Sequence, residues 1–66
     1  MENRIAELRA ERELTQQALA DALGVSRQTV ISLEKGRYNP SILLAHRIAA
    51  TFGLSIEQVF LFEEDE

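Results

Sequence analysis

The chain has no cysteine among its 66 residues. That excludes disulfide staples and thiolate metal sites, and it fits a reducing compartment. It has one histidine, His46, with no acid or second histidine placed to form a catalytic or metal-binding group with it. Gly24, Gly36 and Gly53 are too scattered to make a phosphate-cradling loop, and no carboxylates are paired in a recognisable setting. No enzyme, no metal and no cofactor are therefore expected. No apolar run approaches the ~20 residues of a membrane span. The stretch from Met1 to Leu8 has no apolar signal region. The reading is a soluble, cytoplasmic protein with no membrane partner.

An overall positive charge is also missing; the net charge is −4. Strong, non-specific attraction to nucleic acid is excluded on that ground, because few phosphates could be neutralised. The distribution says more than the sum. Glu63, Glu64, Asp65 and Glu66 carry four negative charges at one end, and residues 1–62 balance at seven acids and seven bases. Arg27, Lys35, Arg37 and Arg47 lie in a stretch whose lone acid is Glu34. Length allows one small domain, set at 1–62 with an acidic tail at 63–66. A chain this short buries only about 60% of its unfolded surface, so it needs very good packing or a partner copy.

What is present centres on Thr15 to Tyr38. Thr15 has the hydroxyl of a helix N-cap. A helix over Gln16–Leu23 follows, with Ala18, Leu19, Ala22 and Leu23 on one face. Gly24 stops it, Val25 plugs the turn, and Ser26 caps a second helix from Arg27 to about Lys35, ended by Gly36. Val30 and Leu33 face inward, while Arg27, Gln28, Ser32 and Lys35 face out. Cap, helix, glycine turn, cap and helix make a helix-turn-helix over residues 15–35. Arginine can donate a bidentate pair to guanine, glutamine can do the same for adenine, and serine or threonine serves base or phosphate. On an isolated helix Arg27 and Gln28 would be ordinary solvated residues. The caps and turn around them make them groove-facing, at the end of the helix that enters the major groove in this motif.

The flanks complete an all-α reading with five helices. Asn3 caps a first helix, Arg4 to about Glu13, with Ile5 and Leu8 inward and Arg12 on their side. Lys35 to Pro40 is a loop, since proline blocks helix at Asn39. Its Lys35, Arg37, Tyr38 and Asn39 suit phosphate contacts that fix register without reading sequence; the alternative is a merely solvated loop. Ser41 caps a helix over Ile42–Phe52, with Ile42, Ala45, Ile48, Ala49 and Phe52 toward the core, and Gly53 ends it. Ser55 and Gln58 have capping-box spacing and open a short fifth helix to about Phe60. In Val59-Phe60-Leu61-Phe62, one phenylalanine closes the core. An apolar end beyond it suggests a homodimer interface of Phe60, Leu61 and Phe62, as a short C-terminal strand. The alternative is that all four pack within one copy.

Thr15-Gln16, Leu19-Ala20, Leu23-Gly24-Val25-Ser26, Arg27-Gln28-Thr29, Leu33-Glu34 and Gly36 together resemble the Cro/CI-type (XRE-like) helix-turn-helix regulators. With Leu8-Arg9 and Ile48-Ala49 the resemblance covers nearly the whole chain. The S-R-Q-T-V and Y-N-P-S segments resemble the small stand-alone subgroup of the cytolysin repressor. The resemblance implies a five-helix, lambda-repressor-like domain that binds double-stranded DNA, and a partly buried ion pair between Arg9 and Glu34. The helix-turn-helix reading assigns base reading to Arg27, Gln28, Ser32 and Ile31, and phosphate contacts to Gln16, Ser26, Thr29, Lys35, Arg37, Tyr38 and Asn39. Ile31 stands where the family is usually polar; it either meets a thymine methyl or is tolerated surface. Leu43 is similarly unusual and is a candidate for the dimer face. The function expected is a homodimeric repressor on a palindromic operator. The alternative is an antitoxin or protein-interaction module.

Overall fold

Four helices begin at a hydroxyl in the computed structural model, which describes residues 1–62. Thr15, Ser26, Ser41 and Ser55 each accept from the backbone N–H three residues on, satisfying a donor that the helix itself leaves unpaired. They open α2 (Gln16–Leu23), α3 (Arg27–Glu34), α4 (Ile42–Phe52) and α5 (Ile56–Val59). Ser55 and Gln58 form the full reciprocal capping box. Gly24 and Gly53 end α2 and α4 in the left-handed region, at φ 74° and 70°. The acidic tail expected at 63–66 lies outside the described residues.

The first helix departs from expectation at both ends. α1 spans Ile5–Glu11 rather than Arg4 to Glu13. Arg4 occupies the cap position without a side-chain bond, and Asn3 Oδ1 accepts from the Ile5 N–H at 3.0 Å instead. At the other end Glu13 takes φ 56°. The Leu14 N–H donates to the Arg9 carbonyl at 2.9 Å and the Glu13 N–H to Ala10 at 3.1 Å. This is the Schellman closure, with glutamate where glycine is usual. An L-residue there is strained by about 1–2 kcal/mol. Glu13→Gly is therefore expected to raise stability by about 0.5–1 kcal/mol after the entropy cost of glycine. A higher urea midpoint at constant m would show it; Glu13→Ala, which keeps the strain, should give no such gain.

The helices enclose one apolar cluster. Ile5, Leu8, Leu19, Ala20, Leu23, Val30, Leu33, Ala45, Ile48, Ala49, Phe52, Val59 and Phe60 are all buried. On α2 the inward face is Leu19, Ala20 and Leu23; Ala22 is exposed and Ala18 only half-buried, so the expected stripe was rotated by part of a turn. Ile42 shares the spacing of Ala45 and Ala49 but is 77% exposed, because the first turn of α4 runs past the edge of the core. Arg12 lies against the far end of that helix. Its guanidinium donates to the Phe52 carbonyl at 3.0 Å and stands 5.1 Å from the Phe52 ring centroid, covering a carbonyl end with a cation.

Beyond α5 the chain is extended. Phe60 pairs with Asn3 in an isolated antiparallel bridge, flanked by Arg4 N–H to Val59 O and Leu61 N–H to Glu2 O, both 2.8 Å. Phe60, expected on an interface, is 1% exposed and fills the core, since this pairing turns its ring inward. Leu61 and Phe62 remain 44% and 55% exposed.

Candidate nucleic-acid interface

α2 and α3 form the two-helix unit that the spacing of caps and glycines implied. Gly24 turns the chain, half-buried Val25 packs on the core, and Ser26 Oγ accepts from the Thr29 N–H at 3.1 Å. The inner face of α3 is pinned by Val30 and Leu33, at 0% and 1% exposure. With that face fixed, the helical period sends Arg27, Gln28, Ile31, Ser32 and Lys35 outward. Arg27, Gln28 and Lys35 are exposed, and Ile31 and Ser32 are half-buried.

The one acid of this region is drawn inward and neutralised. Glu34 Oε2 accepts from Arg9 Nε at 2.7 Å, and Oε1 accepts from Arg9 Nη2 at 3.4 Å. Their side chains are 10% and 20% exposed. Arg9 Nη1 also donates to the Leu14 carbonyl at 2.9 Å. One guanidinium thus joins α1, the loop before α2, and the end of α3. Among the described residues, ion pairs form at Arg4, Arg9 and Arg12, and no carboxylate pairs with Arg27, Lys35 or Arg37. The outer face is consequently positive where the net charge is not.

Several site residues have partners that their spacing in the sequence did not reveal. Gln16 Nε2 donates to Glu34 Oε1 at 3.1 Å, so the Arg9–Glu34 pair also orients the first side chain of α2. Gln16 lines an open cleft with Arg9, Thr15, Gln17 and Arg27, at the N-terminal ends of α2 and α3. The Ser26 and Thr29 hydroxyls lie 3.0 Å apart and bond to each other. Arg37, Tyr38 and Asn39 are exposed on the loop after α3. That loop is tied down from an unexpected direction. Asn3 Nδ2 donates to the Leu33 carbonyl at 2.8 Å, and the Met1 amine donates to the Gly36 carbonyl at 2.7 Å. The Leu33 carbonyl, which also accepts from the Gly36 N–H at 3.0 Å, and the Gly36 carbonyl just beyond α3 are thereby fastened to the N-terminal segment. The exposed apolar side chains gather elsewhere: Ile42 and Phe62 border a shallow hollow with Met1 and Pro40, floored by Ala45, Ile56 and Phe60. Among the described residues no group of three or more His, Asp or Glu could hold a metal. Among the described residues, likewise, no helix is long and apolar enough to cross a membrane.

Comparison with known proteins points the same way. The helix-turn-helix family pattern matches residues 5–59. An uncharacterized HTH-type transcriptional regulator of Methanocaldococcus jannaschii is 53% identical over 66 residues, covering all of both chains. The cryptic phage CTXphi transcriptional repressor RstR of Vibrio cholerae is 32% identical over 57 residues, 86% of this chain and 51% of that one. Among solved structures, the restriction-modification controller protein C.AhdI of Aeromonas hydrophila superposes with a TM-score of 0.78 at 30% identity, covering 86% of each chain. The architecture is accordingly the all-α, lambda-repressor-like one.

Proposed function

This chain belongs to the helix-turn-helix, XRE-type family of DNA-binding transcriptional regulators, which are not enzymes, and from that premise we propose that it is a homodimeric repressor reading a palindromic operator. The observation that carries the reading is the face of α3. It is polar, open to solvent and positive, with its lone acid locked to Arg9. Arg27, Gln28, Ile31 and Ser32 reach base edges in the major groove. Gln16, Ser26, Thr29, Lys35, Arg37, Tyr38 and Asn39 hold phosphates on either side. Two copies would place two such helices on half-sites about one helical turn, ~34 Å, apart. The name of the Vibrio relative supports repression rather than activation.

Selection of bound sites from random duplex DNA tests this reading, since a dimer should return a two-fold symmetric sequence. Two substitutions then separate reading from holding. Gln28→Ala should lose ~1–3 kcal/mol on the selected site and relax preference at one base position, while binding to scrambled DNA barely changes. Arg37→Ala should weaken binding to all sequences by a similar factor and lower the salt slope by about one. Titrations at several salt concentrations resolve the two. If Gln28→Ala weakened both DNAs equally, the groove-facing side of α3 would be wrongly assigned.

The second copy is proposed to dock on the apolar end of the domain. Leu61 and Phe62 are exposed there, with Ile42 at 77% and Leu43 at 61% on the first turn of α4. Phe60 supports this surface only from beneath. Phe62→Glu places a charge in the contact and should yield monomers by sedimentation, with the helical signal intact. A wild-type chain that is monomeric at high micromolar concentration would end the dimer reading.

A further inference from the structure

Tyr38 stands in the loop after α3, where a side chain that only holds phosphate would be expected. Instead it walls a hollow of about 200 Å³ whose other sides are Ser26, Gln28, Thr29 and Ser32. The hollow therefore lies against the outer face of α3 itself. Its lining includes no lysine or arginine, so a phosphate placed in it would not be neutralised. The Ser26 and Thr29 hydroxyls are already bonded to each other. Gln28 and Ser32, four residues apart on one line of the helix, make no side-chain hydrogen bond among the described residues. Tyr38, 44% exposed, supplies the large apolar surface. An unengaged amide, an unengaged hydroxyl and an aromatic wall thus meet in one concavity on the helix that faces the groove.

We propose that Tyr38 is a specificity-determining residue, and that this hollow receives the C5-methyl group of a thymine. That methyl is the apolar group that a base pair presents in the major groove, and Gln28 beside it has the donor and acceptor to read a neighbouring adenine. The inference rests on the reading that α3 enters the major groove. It differs from that reading in moving Tyr38 from the phosphate-holding to the base-reading set. Ile31, the apolar residue of α3 that the sequence alone offers to a methyl, lies on the opposite flank of Gln28 and does not line the hollow.

Deoxyuridine, which lacks only the C5-methyl of thymidine, provides the test. Each thymine of the selected site is replaced by uracil in turn, and affinity is measured for wild type, Tyr38→Ala and Tyr38→Phe. Wild type should lose about fourfold at one thymine, what burying one methyl group contributes. Tyr38→Ala should bind the thymine and uracil versions of that position alike. Tyr38→Phe should keep the discrimination, because the ring remains. A uracil penalty that is unchanged in Tyr38→Ala overturns the proposal. So does a Tyr38→Phe variant that loses affinity for all sequences by a similar factor at an unchanged salt slope, since that is the signature of a neutral hydroxyl on phosphate. A preferred site with no uracil penalty anywhere overturns this proposal alone; a wild type with no preferred site overturns the groove reading and this with it.

Discussion

Replacing Phe60 by alanine is expected to remove about 3–5 kcal/mol, enough to leave much of the chain unfolded. Phe60 is the largest of the fully buried side chains, at 1% exposure. Its loss removes the apolar transfer energy of the ring and leaves a cavity that the surrounding helices can fill only in part. The residue also holds the end of the chain in place, with its N–H donating to the Ile56 carbonyl at 2.8 Å and its backbone bridged to Asn3. A domain of this length has only about 3–10 kcal/mol of total stability. Urea unfolding followed by circular dichroism would measure the loss. Phe60→Leu should cost distinctly less, because most of the volume stays. A Phe60→Ala loss under about 1 kcal/mol would place the ring outside the core.

Arg9→Met is expected to cost about 3 kcal/mol, by stranding Glu34 rather than by losing contacts of its own. Glu34 is 10% exposed, and without Arg9 its carboxylate keeps only the Gln16 amide. The Leu14 carbonyl also loses its donor. A surface ion pair would be worth at most about 1 kcal/mol, so the size of the effect separates the two cases. The double replacement Arg9→Met with Glu34→Leu gives the sharper result. Removing both charges should recover at least half of the single-variant loss, since an apolar pair needs no desolvation. If the double variant were no more stable than Arg9→Met, packing of the arginine stem would be the dominant contribution. DNA affinity gives an independent readout, because the double variant releases Gln16 from Glu34 while leaving the face of α3 in place.

How far the sequence could be read depended on how local the signal was. Thr15, Ser26, Ser41 and Ser55 act on N–H groups three residues away, so their roles were visible in the spacing. The same holds for Gly24 and Gly53, and for the inward pair Val30 and Leu33 on α3. Ile42 misled because helical period specifies a face but not where along the helix the core ends. Glu13 misled because a left-handed closure without glycine leaves no residue-type signature. Asn3, Arg12 and Gln16 have partners 30, 40 and 18 positions away, and nothing in their neighbourhoods encodes those pairings. The candidate interface divides in the same manner. Arg27 and Gln28 follow from the period of α3, whereas the placement of Tyr38 against that helix is a product of the folded loop.

The bridge between Asn3 and Phe60 brings the two ends of the described chain side by side. The order of the helices is therefore separable from where the polypeptide begins. A circular permutant, with its original ends joined by a short Gly/Ser linker and new ends opened between Gly53 and Leu54, keeps every helix and the Asn3 bond to the Leu33 carbonyl, while the Met1 ammonium that meets the Gly36 carbonyl becomes an ordinary amide. That cut falls at the left-handed turn after α4, where Gly53 is exposed and a Cβ would meet nothing within 4 Å. Such rearrangements are tolerated when the ends lie close and the new break is at the surface. In the permuted chain α5 and the Phe60 strand would lead directly into α1, so a contact now closed across nearly the full length would become a hairpin. Loop-closure entropy favours that shorter route, while the packing of α5 on α4, now made across one short turn, would span the permuted chain, so the permutant should reach the same structure by a different order of closure.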